Sequence, residues 1–268
     1  MPELPDVELY RRRLDATALH RPIVEVTVND ARILADIPPE AFAARLRGNA
    51  FEHTLRHGKH LLVRLVRDGW MTMHFGMTGA LVPFQDPADD PPYDRIRFDF
   101  ADGHLAYTSR RMLGRVGLTD AADVFIAAEE LGPDALSPEF DFATFSRALT
   151  GRRRDVKALL MDQSVLAGIG NIYSDEILFQ AGLHPKTSVE QLDDEQRRRL
   201  FNAIKEVLQT AIDCGAGAEQ FLDRLPPGYL LPQRRADGRC PRCGGPIATL
   251  KHQGRTAYFC PRCQPEPG

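Results

Sequence analysis

Four cysteines near the C-terminal end constrain this chain more than any other feature: Cys240-x2-Cys243, sixteen intervening residues, then Cys260-x2-Cys263. Each pair can set two thiolates on one tight knuckle, and the segment between can return as a hairpin to complete a tetrahedron. The spacing therefore predicts a small zinc-bound β-hairpin. Four thiolates leave no open position for water, so such a zinc is structural. Disulfides are the competing reading, and nothing in the sequence indicates secretion. Cys214 stands alone and is expected as a small buried side chain near a helix end.

The rest of the chain changes period. Val7, Tyr10, Leu14 and Ala18 recur at helical spacing, which predicts an amphipathic first helix. From about 22 to 118 the pattern becomes short alternating runs, such as Ile23-Val24-Glu25-Val26-Thr27-Val28 and His60-Leu61-Leu62-Val63-Arg64-Leu65, with a loop from Asp86 to Pro92. This is the signature of an antiparallel sandwich or barrel. After an acidic, proline-punctuated stretch to about 140 the chain reads as helical. Helices are expected over Asp155–Gln163 and Asn171–Gly182, joined by the turn Leu166-Ala167-Gly168-Ile169-Gly170. A longer one carries Leu200, Ile204, Val207, Leu208 and Ala211 on one face and stops at Gly215. There is no internal repeat. The expected organisation is an α+β multidomain chain: a β-sandwich with its leading helix over 1–120, a linker over 121–150, a helical domain over 151–232 and the zinc segment over 233–268.

At 268 residues, 43% hydrophobic and 26% charged, the chain has the composition of a soluble globular protein. No apolar run approaches bilayer length, and the N-terminus lacks the apolar stretch of a signal peptide, so no membrane partner is expected and the location read is cytoplasmic. The formal charge of −3 argues weakly against a nucleic-acid partner, but the charge is segregated. Asp120, Asp123, Glu129, Glu130, Asp134, Glu139 and Asp141 give residues 119–142 a net of −7. Arg234, Arg235, Arg239, Arg242, Lys251, Arg255 and Arg262, against Asp237, give residues 234–263 a net of +6. That distribution suggests one face made for an anion.

Pro2-Glu3-Leu4-Pro5-Asp6-Val7-Glu8 opens the chain after Met1. Removal of Met1, which a small second residue permits, would leave Pro2 with a free secondary amine. A terminal amine titrates near pH 8, so a useful fraction is an uncharged nucleophile at neutral pH. Condensed with an aldehyde-level carbon, a secondary amine gives an iminium that cannot lose its charge through nitrogen, a durable electron sink for elimination. Glu3 stands beside it as a proton donor or acceptor. The plainer reading is a proline-rich lead-in to a helix. Gly168-Ile169-Gly170 invites a dinucleotide reading, but Tyr173 occupies the place of the third glycine and no strand precedes it. Two helices joined by a glycine turn, with Asn171 opening the second, can instead offer backbone N–H groups to a phosphate, or can be a simple helix connection.

Taken together, Pro2-Glu3-Leu4-Pro5, Gly58-Lys59, His74-Phe75-Gly76-Met77, Gly168-Ile169-Gly170-Asn171-Ile172-Tyr173, His184-Pro185 and the four cysteines resemble, nearly end to end, the formamidopyrimidine-DNA glycosylase and endonuclease VIII family. The resemblance implies an N-terminal β-sandwich behind a leading helix, then a helix–two-turn–helix domain with a zinc finger. It implies a bifunctional glycosylase and abasic-site lyase of base-excision repair, acting as a monomer on double-stranded DNA with damaged bases or abasic sites. The lesion is flipped from the stack, because its sugar carbon is inaccessible within the duplex. Pro2 would attack C1′, Glu3 would move the proton that opens the sugar ring, and β- then δ-elimination would cut the strand. Lys59, otherwise a solvated strand lysine, matches the family lysine near the damaged nucleotide. Asn171, Lys157 and Arg255 match phosphate-side residues. Met77, otherwise a core methionine, matches one of three side chains that fill the hole left by the flipped base. Ser109-Arg110-Arg111-Met112-Leu113-Gly114 aligns with the loop carrying the other two, so Arg111 would face the orphaned base and Leu113 stands where the family has phenylalanine. Asp6 replaces a usual glutamate, and the segment after Pro227-Gly228-Tyr229, which resembles the start of the base-capping loop, diverges.

Oxidised purines, including 8-oxoguanine and formamidopyrimidines, are the expected substrates; oxidised pyrimidines or bare abasic sites are the alternative. Two readings of other classes are a non-catalytic binder of damaged DNA, which intact Pro2, Glu3 and Lys59 oppose, and a zinc-ribbon interaction protein unrelated to DNA, which leaves the N-terminal pattern unexplained.

Overall fold

The computed structural model describes residues 1–267 and divides into two units, one of residues 1–2 and 6–129, the other of residues 3–5 and from Glu130 onward.

The first unit is a β-sandwich. Helix α1 (Leu4–Ala18) lies in it from Asp6 onward and buries Val7, Leu14 and Ala18, as the helical spacing predicts. Strand β1 (Glu25–Val28) is followed by helix α2 (Pro39–Leu46), then by β2 (Phe51–His57), β3 (His60–Leu65), β4 (Trp70–His74), β5 (Gly79–Phe84), β6 (Asp94–Phe100), β7 (Gly103–Ser109) and β8 (Arg115–Thr119). All neighbours pair antiparallel, in two four-stranded sheets ordered β1-β6-β7-β5 and β2-β3-β4-β8. Alternation turns one set of side chains inward from each sheet. Val26, Leu81, Ile96, Phe98, Leu105 and Tyr107 from one meet Phe51, Leu61, Val63, Met71, Met73 and Val116 from the other. The Phe51 and Phe98 rings meet edge to face at 5.5 Å, one of the offset arrangements aromatic pairs prefer. The alternating pattern gave no sign of α2, which starts at a proline and buries Phe42 and Leu46.

The second unit is helical. Helices α3 (Ala122–Ala128), at the end of the first unit, and α4 (Phe142–Leu149) both lie in the stretch read from sequence as linker. Asp141 caps α4 by accepting from Thr144 N at 2.7 Å, and Phe145 and Leu149 are buried, so a capped amphipathic turn sits inside the acidic run. Helix α5 (Val156–Leu160) is shorter than the expected Asp155–Gln163, because Asp162 turns its carboxylate back onto Ser164 N and closes a tight turn. Helix α6 (Asn171–Ala181) ends at Gly182 in the left-handed region, φ +69°. Helix α7 (Asp194–Asp213) opens with a capping box between Asp193 and Gln196, buries the predicted Leu200, Ile204, Val207, Leu208 and Ala211, and ends at Cys214. Cys214 is only half-buried there. Strands β9 (Ala248–His252) and β10 (Arg255–Phe259) form the terminal hairpin. No helix among the described residues is long and apolar enough to cross a membrane.

Candidate active site and nucleic-acid interface

Glu3 is fully buried, and its carboxylate accepts from Gly170 N (2.7 Å), Ile172 N (2.8 Å) and Tyr173 N (3.2 Å). Helix α6 has no side-chain cap of its own at Gly170, so Glu3 supplies the acceptors that its first turn lacks, at the positive end of the helix. A Cβ at 170 would stand 2.4 Å from Glu3 Oε1, so any larger residue there would push the Glu3 carboxylate off its three donors. Leu4 N also donates to Gly168 O at 3.0 Å. The glycine turn thus serves as a socket for the residue next to Pro2. Tyr173, which excluded a dinucleotide fingerprint, is buried and donates its hydroxyl to Ala216 O at 3.2 Å.

Behind that turn lies a buried ionic network. Lys157 is completely buried, and its ammonium donates to Asp175 Oδ1 (2.7 Å), Ser174 Oγ (2.6 Å) and Asn171 O (3.2 Å). Burial pushes the Lys157 pKa down against the pull of Asp175. Lys157, expected among the phosphate-side residues, has its ammonium sealed inside the unit, where it fixes the backbone of Asn171. Asp175 Oδ2 accepts from Arg234 Nε at 2.8 Å, and the Arg234 guanidinium lies 4.6 Å over the Tyr258 ring. Arg242 likewise folds over Phe179, 4.4 Å from its ring. Arg234 is therefore largely turned inward, whereas Arg242 stays exposed while bonded to Phe179 O. Asn171 itself is half-buried, donates from Nδ2 to Thr256 O at 3.2 Å and leaves Oδ1 without a partner.

Thr256 belongs to β10, beside Arg255 at the hairpin tip. Gln253 (φ +46°) and Gly254 (φ +73°) turn the chain in two residues between the paired His252 and Arg255, the left-handed pair that matches strand twist. Arg255 is exposed there. The four cysteine sulfurs lie within 4.8 Å of one another, with Cys240–Cys263 at 3.7 Å and Cys243–Cys260 at 3.5 Å. Zinc–sulfur bonds of about 2.3 Å set tetrahedral edges at about 3.8 Å, so the four thiolates fit a structural zinc.

The first unit carries the remaining predicted residues. Lys59 sits in the two-residue turn between β2 and β3, where Gly58 takes φ +56°. His60 and His74 pair across β3 and β4 with rings 4.9 Å apart. Burial, then His74, His57 and Lys59, hold the His60 pKa down at about 3; burial and Lys59 also lower that of His74. His74 Nδ1 accepts from Gly76 N at 3.3 Å, so the neutral ring carries its proton on Nε2. Gly76, at φ +57°, passes so close to the 109–114 loop that a Cβ would meet Leu113 C at 2.3 Å, and Arg111 N donates to Thr78 Oγ1 at 3.0 Å. This brings Met77, Arg111 and Leu113 together on neighbouring loops, Met77 39% and Leu113 51% exposed. Asp6 is buried.

Sequence reasoning missed Asp175 and His74 as members of these groups. Neither spacing nor local pattern links Asp175 to Lys157 on another helix, whereas His74 lay in a quoted motif and faces the residue next to Lys59.

Three family models match in order: "Formamidopyrimidine-DNA glycosylase N-terminal domain" over residues 1–116, "Formamidopyrimidine-DNA glycosylase H2TH domain" over 131–223 and "Zinc finger found in FPG and IleRS" over 238–265. The formamidopyrimidine-DNA glycosylase of Heliobacterium modesticaldum is 37% identical, with 98% of this chain and 100% of that protein aligned. That of Thermosynechococcus vestitus is 38% identical over 99% of this chain and 98% of its own. The Lactococcus lactis enzyme, solved with DNA containing N7-benzyl-Fapy-dG, superposes with a TM-score of 0.88 at 29% identity, over 99% of this chain and 100% of that one. The same enzyme bound non-covalently to DNA with an abasic site also gives 0.88.

Proposed function

The chain belongs to the formamidopyrimidine-DNA glycosylase family, and on that premise we propose that it excises oxidised purines with Pro2 as nucleophile and cuts the abasic strand by β,δ-elimination. It is a base-excision repair DNA glycosylase with abasic-site lyase activity, and its zinc is structural. The observation that carries the proposal is the Glu3 carboxylate held by three N–H groups of the α6 turn, covalently next to Pro2.

With Met1 removed, the Pro2 nitrogen forms a bond to C1′ of the flipped nucleotide as the C1′–base bond breaks and the base leaves with a proton. Ring opening, with Glu3 moving the proton at the sugar oxygen, gives the iminium. Loss of the C2′ proton to a base turns the iminium into an enamine, whose electrons expel the 3′ phosphate and restore a conjugated iminium. Loss of the C4′ proton and a second elimination release the 5′ phosphate. Lys59 supplies positive charge near the nucleotide. Asn171 and Arg255 hold phosphate, and Lys157 supports Asn171 from behind. Met77, Arg111 and Leu113 occupy the vacated stack, Leu113 filling space without the stacking of an aromatic ring. The name shared by the relatives and the modified formamidopyrimidine in the Lactococcus complex support oxidised purines. The bacterial relatives support cytosolic action, and we read the enzyme as a monomer.

Excision from matched duplexes carrying 8-oxoguanine, a formamidopyrimidine or an oxidised pyrimidine tests the assignment. The two purine lesions should be released faster; a clear pyrimidine preference would overturn it.

A further inference from the structure

Glu8 on α1 is nearly buried, and three arginines converge on it. Arg11 reaches both oxygens (2.8 and 2.9 Å), Arg12 reaches Oε1 (3.1 Å), and Arg56 on β2 reaches Oε2 (3.3 Å). Burial alone would raise the Glu8 pKa, but Arg11, Arg12 and Arg56 together hold it below the usual glutamate value. The Arg56 side chain is only 11% exposed, and its other arm, Nη1, donates to Gly58 O at 3.4 Å. Gly58 is the left-handed residue that opens the β2–β3 turn, and Lys59 follows it. A guanidinium offers donors in a rigid fork, so one side chain grips the carboxylate with one edge and the turn with another, which a lysine cannot do in one geometry. Asp15 and Thr54 reinforce the same seam, through Thr54 Oγ1 to Asp15 Oδ1 at 2.6 Å and Arg11 Nη1 to Asp15 Oδ2 at 2.8 Å.

We propose that Arg56, anchored by Glu8, is a positioning residue that fixes the Gly58–Lys59 turn against helix α1, the helix that begins two residues after Pro2. Lys59 itself is a long, flexible cation, and its turn is only two residues deep. The fork removes the freedom of the turn before DNA arrives, so the ammonium is delivered to one place. This rests on the role given to Lys59 above.

The test is a double-mutant cycle on the zinc-loaded full chain, read by single-turnover release of 8-oxoguanine and by affinity for a duplex with a tetrahydrofuran abasic analogue. Arg56→Ala is expected to slow release about tenfold with affinity nearly unchanged, since modest misplacement of a reacting group has effects of this order. In a Lys59→Ala background the same change should add less than about twofold, because both act through one group. Arg56→Lys should recover only part of the rate. Additive effects, or full activity in Arg56→Ala, would overturn the proposal. An unimpaired Lys59→Ala would instead overturn the role of Lys59. If Arg56→Ala does not fold, Glu8→Gln takes its place in the cycle with the same expectations.

Discussion

Within residues 6–129, Lys59, Met77, Arg111 and Leu113 ride on turns and loops above a core of aliphatic and aromatic side chains. In the unit from Glu130 onward, with Glu3, four ionisable side chains lie as deep as the apolar core around them: Glu3, Lys157, Asp175 and Glu176 are all 0% exposed. The first unit holds its functional groups through backbone geometry, with Gly58 and Gly76 in left-handed conformations and the loops pressed together, and adds one ion pair, Glu8–Arg56, at the Gly58–Lys59 turn. The second holds them through paired buried ions, which are costly when broken. Turns can be altered one side chain at a time, whereas Lys157, Asp175 and Arg234 share partners and cannot be altered singly without stranding a charge.

Metal loss should expose the contrast most strongly. Cys260→Ser is expected to lose essentially all zinc and to melt the β9–β10 hairpin while leaving the sandwich folded. Elemental analysis with domain-resolved hydrogen exchange checks this, and full metal content would contradict the four-thiolate site. Next comes Asp175→Ala, which strands the Lys157 ammonium and the Arg234 guanidinium. It should cost about 3–5 kcal/mol in a thermal or denaturant melt; a cost below about 1 kcal/mol would mean the network is not the support described.

How far the sequence reveals these two strategies differs by region. The sandwich strands, α1, α7 and the zinc knuckles follow from period and spacing, because burial on one face writes its pattern directly into the chain. Glu3 and Asn171 were legible as parts of motifs, but the bond from Glu3 to the α6 turn spans 169 residues and leaves no local trace. Lys157 and Arg234 read as surface cations because their partner, Asp175, is brought close only by tertiary packing. Helix α2 was hidden among strand-like runs, and α4 within an acidic stretch.

Acidity should separate the units in opposite directions. Burial pushes the Glu176 carboxyl up to about 7, where Leu231 N and Gln180 Nε2 donate to it. A raised carboxyl pKa gives stability that is present below its usual value of 4.5 and lost as pH rises through about 7. Glu176→Gln should therefore gain on the native chain, by on the order of 1 kcal/mol, between pH 5 and 8. His60, held down at about 3, contributes stability that is full above 6.5 and lost as pH falls toward 3. His60→Phe should gain on the native chain as pH drops from 7 to 5. Melting curves of the variants across pH check both, and slopes of the same sign would erase the contrast.

The smallest expected effect is at the hairpin tip. Arg255→Ala should weaken binding to all duplexes similarly and reduce the log–log salt slope by about one. An unchanged slope would remove Arg255 from the phosphate contacts.

The central claim, that Pro2 is the nucleophile beside a socketed Glu3, is met most directly by borohydride trapping on a duplex containing 8-oxoguanine. The chain used should be confirmed to lack Met1, and the cross-linked peptide identified by mass spectrometry. A covalent adduct on the Pro2 nitrogen is the predicted result. Strand cleavage without an adduct there, or an adduct on a lysine instead, would contradict it.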